Sequence, residues 1–124
     1  MKNKVLGILL FIIIFIIGII ILYLTISSNY IGSIKGNIIK VGDIDSMVID
    51  FMAEERDIIF IKHASSVKKG TLEFELVHES GNVIEHFTSN APSEIEVIIE
   101  ESGTYYFQVR YEYFIGKYSF ELTK

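Results

Sequence analysis

The sequence predicts an all-β domain behind one membrane-spanning helix, on three observations. Val5 to Ile26 (VLGILLFIIIFIIGIIILYLTI) carries no charge, and its polar content is limited to Tyr23 and Thr25. The rest of the chain alternates apolar and polar residues with a period of two. Clusters of glycine, serine and asparagine, with a single proline, interrupt that alternation as turn signals.

The apolar run comes first. A helix rises ~1.5 Å per residue, so a run of this length reaches about 33 Å, against a hydrocarbon core of ~30 Å. Lys2 and Lys4 precede it, which by the positive-inside rule places the N-terminus in the cytoplasm and the C-terminus outside. Tyr23 and Tyr30 fall where an interfacial ring is at home. A cleaved secretory signal is the competing reading. Signal cores run ~7–15 residues, shorter than this one, and no A-x-A-like site follows, although Ser27 and Ser28 are small. Cleavage would make the domain a secreted one. The expected organisation is a cytoplasmic stub and signal anchor at 1–26, a polar tether at 27–33 (SSNYIGS), and an extracytoplasmic β domain at 34–124.

The strands follow in order. Early ones are expected at Ile34 to Val41, Met47 to Met52 and Asp57 to His63. Thr71 to Val77 (TLEFELV) sets Leu72, Phe74 and Leu76 against Glu73 and Glu75. Ser80-Gly81-Asn82 reads as a hairpin turn into a strand from Val83. Ala91-Pro92-Ser93 breaks the chain before Glu94 to Glu100 (EIEVIIE). Tyr105 to Tyr113 points Tyr105, Phe107, Val109, Tyr111 and Tyr113 inward, and Tyr106, Gln108, Arg110 and Glu112 outward. Lys117 to Thr123 closes with Tyr118, Phe120 and Leu122 inward. Lys69-Gly70, Ser102-Gly103 and Ile115-Gly116 read as further breaks. About eight short, half-buried strands pack best as two sheets, so the expected fold is an antiparallel, jelly-roll-like β-sandwich.

Composition narrows the function. The chain carries a net charge of −5. With Lys2 and Lys4 set aside, nine basic against sixteen acidic residues leave −7 beyond the apolar run. That charge opposes nucleic acid and anionic headgroups as partners. The absence of cysteine excludes disulfides, thiolate metal sites, a cysteine nucleophile and lipid attachment through cysteine. A cysteine-free domain rich in Ile, Lys and Glu suits a bacterial cell surface.

Two stretches resemble bacterial pre-peptidase C-terminal (PPC) domains. Lys40-Val41-Gly42-Asp43-Ile44-Asp45 with Val48-Ile49-Asp50-Phe51 is similar to their "GD-x-D, then apolar strand" segment. Gly103-Thr104-Tyr105-Tyr106-Phe107-Gln108-Val109 is similar to their "GTYY-x-x-V" strand, and Gly116-Lys117-Tyr118-Ser119-Phe120-Glu121-Leu122 to their closing strand. The resemblance covers Ile34 to Lys124 and implies a β-sandwich of the binding-module class. PPC domains are usually appended to secreted proteases, and some relatives bind collagen, polysaccharide or calcium.

Candidate sites are few. Asp43 and Asp45, two apart in a glycine-containing turn, supply two of the oxygens a calcium ion wants; capping the turn is the plainer role. No cofactor is expected, with calcium at Asp43 and Asp45 as the alternative. His78 and His86 could face each other across the Gly81 hairpin, near Glu79 or Glu85, as a zinc pair or as ordinary surface residues. No G-x-S-x-G elbow is present, and alternating acids such as Glu73 and Glu75 are usual on a solvated face, so no enzyme is expected. Tyr106 and Arg110 make the preferred binding surface, since aromatic and Arg side chains anchor contacts well. The chain is therefore expected to be a membrane-anchored, extracytoplasmic, non-catalytic module for a protein or glycan partner. A structural or assembly subunit of an envelope complex and a calcium-dependent surface domain are the alternatives.

Overall fold

The computed structural model describes residues 1–42 and 45–124, with the backbone alone at 25–28. It divides into two compact units, Met1–Tyr30 and Ile31–Lys124.

The first unit is one helix, α1 (Lys2–Asn29). Its first 23 residues, Lys2–Leu24, are long and apolar enough to cross a membrane. Apolar side chains from Val5 to Leu24 are exposed all round the helix, which fits a signal anchor or a membrane span. The helix continues through Asn29 and β1 begins at Tyr30, so helix and strand occupy stretches expected as a polar tether.

The second unit is antiparallel β-structure: β1 (Tyr30–Ile38), β2 (Asp45–Ala53), β3 (Ile58–His78), β4 (Val83–Thr88), β5 (Glu94–Ile98) and β6 (Gly103–Thr123). β3 and β6 are each 21 residues long and pair with each other along most of their length. Their far halves, Thr71↔Glu112 to His78↔Tyr105, take β2 on the β6 side and β4 on the β3 side. Their near halves, Phe60↔Thr123 to Lys69↔Ile115, take β5 on the β3 side. β1 also pairs with β6, and Gly36 lies against the Tyr118 ring. The result is a sandwich in which the same two strands run through both layers.

Eight strands were expected from the turn signals, and the described chain has six. Lys69-Gly70 and Ile115-Gly116 bend their strands instead of ending them. Gly70 has φ +79°, and the ladder slips register between Val67 and Lys69 and again between Lys69 and Thr71. A Cβ at Gly70 would lie 2.3 Å from the Tyr113 carbonyl oxygen and 2.4 Å from that of Glu112, so only glycine fits the bend. Tyr113 itself has φ +48° and reverses the alternation. Tyr113, expected inward, is 57% exposed, and Phe114 is buried in its place.

The core lies between the layers. Phe74 and Phe107 from one layer meet Phe120 from the other, at ring-centroid distances of 4.7 and 5.5 Å. Leu72, Leu76, Val109, Ile59, Ile61, Ile95, Val97 and Leu122 surround them, all buried as the period of two requires. Burial of each such side chain contributes about 1.5–3 kcal/mol. His63 is buried among these rings, 4.9 Å from Phe74 and 5.2 Å from Phe120, with Nε2 2.9 Å from Ser65 Oγ.

Candidate functional site

The outward face of the β2–β6–β3–β4 layer carries the site suggested by Tyr106 and Arg110. Strand pairing sets its side chains in rows. One row runs Ser46, Arg110, Glu73, Thr88; the next runs Val48, Gln108, Glu75, His86. Between them lies a groove of about 480 Å³ lined by Ser46, Glu73, Glu75, His86, Gln108 and Arg110, with Asp45 at its end. His86 Nε2 stands 3.7 Å from Glu73 Oε2. Both side chains are about half exposed, so this pair contributes little to stability. Among the described residues Lys124 pairs with Asp57, His78 lies near the Glu101 carboxylate and His86 near that of Glu73, and Arg110 stands outside all three contacts. Its guanidinium therefore presents its hydrogen-bond donors to the groove with carboxylates close by. Such a mixed surface suits a partner carrying both donors and acceptors.

Tyr106 shares this face without lining the groove. It pairs with Asp50 on β2 and Val77 on β3. It lies four strand positions from Arg110, about 13 Å along the sheet. The two expected anchors are thus members of one face, with Gln108 between them. Glu73, Glu75 and His86 complete the groove and were not chosen from sequence. The outward position of Glu73 and Glu75 was legible in TLEFELV; their placement beside Arg110 depends on the β3–β6 pairing, which no local signal reveals.

The acidic turn residues divide. Asp43 lies outside the described residues. Asp45 opens β2, where Oδ1 accepts from the Ser46 backbone N–H at 2.8 Å and Oδ2 from the Tyr111 hydroxyl at 3.2 Å. Burial raises the Tyr111 phenol above its ordinary pKa, and Asp45 adds to the rise, so the hydroxyl keeps its proton and serves as the donor. No group of three or more metal-ligating His, Cys, Asp or Glu side chains occurs among the described residues.

The two histidines do not face each other. A register slip between Leu76 and Val77 puts His86 opposite Glu75, while His78 is buried at 3% exposure. His78 Nδ1 accepts from the Ser80 backbone N–H at 3.1 Å and lies 2.8 Å from Ser80 Oγ. Nε2 is 3.3 Å from the Ser102 carbonyl oxygen, which holds it as the N–H donor. The ring thereby ties the Gly81 hairpin to the Ser102-Gly103 turn. Beside it the Tyr105 hydroxyl donates to the Glu101 carbonyl. Burial raises that phenol's pKa.

No family model matches the chain, and no curated protein does. Solved structures do. The periplasmic inhibitor of g-type lysozyme from Aeromonas hydrophila, PliG, has a TM-score of 0.54 at 13% identity, covering 78% of this chain and 88% of that one. The pre-peptidase C-terminal domain of a Bacillus anthracis collagenase has a TM-score of 0.50 at 25% identity, over 73% and 87%. The Yersinia pseudotuberculosis-derived mitogen has a TM-score of 0.50 at 15% identity, over 74% and 83%. The motif resemblance to PPC domains thus extends to the fold: the chain is a PPC-like β-sandwich behind an apolar N-terminal helix.

Proposed function

We propose that this protein is a membrane-anchored, extracytoplasmic binding or accessory module without catalytic activity, and that it contacts its partner through the Arg110 groove and the Tyr106 end of the same face. The observation that carries this reading is the groove itself: a guanidinium outside the ion pairs of the described residues, among Glu73, Glu75, His86 and Gln108 on the outward face of the sheet. Lys2 and Lys4 ahead of the helix support display of the domain outside the cytoplasm. Among the similar folds, one belongs to a periplasmic lysozyme inhibitor and one is a domain of a collagenase. The Ser–His contacts support a non-catalytic reading. Ser65 and Ser80 each touch an imidazole buried for packing or hairpin closure, and His78 Nε2 meets a backbone carbonyl where a triad would place a carboxylate.

The test is crosslinking in intact cells at native expression level, with wild type beside Arg110→Glu and Tyr106→Ala. Loss of the crosslinked partner, with membrane level and thermal stability unchanged, is the expected result. A role as an assembly subunit of an envelope complex makes the opposite forecast. The partner then survives both substitutions and is lost when residues 5–24 are replaced by an unrelated spanning sequence.

A further inference from the structure

The lysines of this acidic domain are not spread evenly. On the outward face of the other layer, two adjoining hollows of about 740 and 460 Å³ share Asn37, Ser66 and Lys117. Lys35 lines the first and Lys68 the second. Neither lining includes a carboxylate, although the chain beyond the apolar helix carries −7. Lys35, Lys68 and Lys117 are exposed and stand outside the ion pairs among the described residues. The floor is built of small and hydroxyl side chains, Gly36, Ala64, Ser66 and Ser119, with the Asn37 amide beside them. The trough runs along β1 from Lys35 to Ile39, about 13 Å at the rise of a strand.

From this segregation of charge we propose that the trough binds a linear anionic polysaccharide. The lysines would meet its spaced acidic groups, and the serine hydroxyls and Asn37 amide its ring hydroxyls. Three features favour this ligand over other polyanions. A single-stranded nucleic acid wants open aromatic rings for its bases, and the ring bordering the trough, Tyr118, is turned inward at 5% exposure. A duplex is opposed by the domain's overall charge. A flat anionic membrane would not fill a concavity, whereas a chain-shaped ligand does. This site is independent of the Arg110 groove, on the opposite side of the sandwich.

The experiment measures binding of dextran sulfate to the full-length chain in nanodiscs of neutral lipid. Uncharged dextran, single-stranded DNA and phosphatidylglycerol vesicles serve as the competing probes. Wild type is expected to bind dextran sulfate with an affinity that falls as salt rises, and to bind the other three more weakly. Lys68→Glu with Lys117→Glu is expected to weaken binding by about tenfold or more. Ala64→Trp, which fills the floor without changing charge, is expected to weaken it as well. Arg56→Glu with Lys124→Glu changes net charge equally at the far end of the domain, outside the trough, and is expected to leave binding within about twofold. The proposal is overturned if wild type does not bind dextran sulfate, or if DNA or the vesicles bind at least as tightly. Equal loss in the Arg56/Lys124 control would also overturn it.

Discussion

Replacing Gly70 by alanine tests the bend that makes two layers from one pair of strands. Gly70 sits at φ +79°, where a side chain costs about 1–2 kcal/mol through its clash with the following carbonyl. The new Cβ would also lie 2.3 and 2.4 Å from the carbonyl oxygens of Tyr113 and Glu112. Those are backbone atoms, so relief means displacing β6 where Lys69 pairs with Ile115 and Thr71 with Glu112. Weakening one or two ladder hydrogen bonds there adds about 1 kcal/mol each. The total is about 2–4 kcal/mol. For a domain of this size each kcal/mol lowers Tm by roughly 4–8 °C, giving a drop of roughly 8–32 °C. Gly81→Ala is the control. Gly81 has φ +91° with nothing within 4 Å of its Cβ position, so the alanine meets backbone strain alone and loses about 1–2 kcal/mol. The assay is thermal unfolding of the detergent-solubilised chain, followed by near-UV circular dichroism and tyrosine fluorescence; the chain has no tryptophan. Equal Tm shifts for the two variants would refute the reasoning, because the close approach of β6 would then contribute nothing.

Phe120→Ala removes the ring joining Phe74, Phe107 and His63 across the layers, and should cost about 3–5 kcal/mol in urea unfolding. The Lys124 ammonium, 2.8 Å from Asp57 Oδ2, and the Glu54 backbone N–H hold the Asp57 carboxyl below its ordinary pKa. A carboxylate lowered by folding stabilises above its unfolded pKa and loses that contribution as pH falls through the folded value. The Tm of wild type should therefore fall more steeply below about pH 4 than that of Asp57→Asn, in melts taken across that range. Asp45→Ala should lower Tm by an amount independent of calcium, since the structure gives both carboxylate oxygens hydrogen-bond partners. The calcium alternative instead requires a calcium-dependent rise in Tm that Asp43→Ala with Asp45→Ala abolishes.

What the sequence revealed and what it concealed divide along the range of the interactions. Alternation in TLEFELV, EIEVIIE and the Tyr105 strand is local, and its inward residues are buried as expected up to Val109. A glycine with positive φ, by contrast, is the same local signal in a turn and in a bend. Gly81 closes a hairpin, where the Gly81 N–H donates to the His78 carbonyl at 2.8 Å, while Gly70 lets β3 run on. The difference lies in what the continuing strand packs against, here Phe74 upon Phe120, and packing partners are not neighbours in sequence. The inversion at Tyr113 and Phe114 has the same origin. So does the separation of His78 from His86, where one register slip sends the first inward and leaves the second at the surface. The groove shows both limits together. Arg110, Gln108, Glu73 and Glu75 are each legible as outward, but their assembly into one cavity awaits the pairing of β3 with β6.

Display of the Arg110 face outside the cytoplasm, on a chain still anchored by its helix, is the central claim. The absence of native cysteine makes it directly measurable. Single substitutions Arg110→Cys and Asn3→Cys are each treated in intact cells with a membrane-impermeant maleimide, and the membrane fraction is then isolated. The account predicts labelling of the full-length, membrane-bound Arg110→Cys chain, with Asn3→Cys labelled only after lysis. The reverse pattern, or recovery of the labelled domain as a shorter chain free of the membrane, would contradict it.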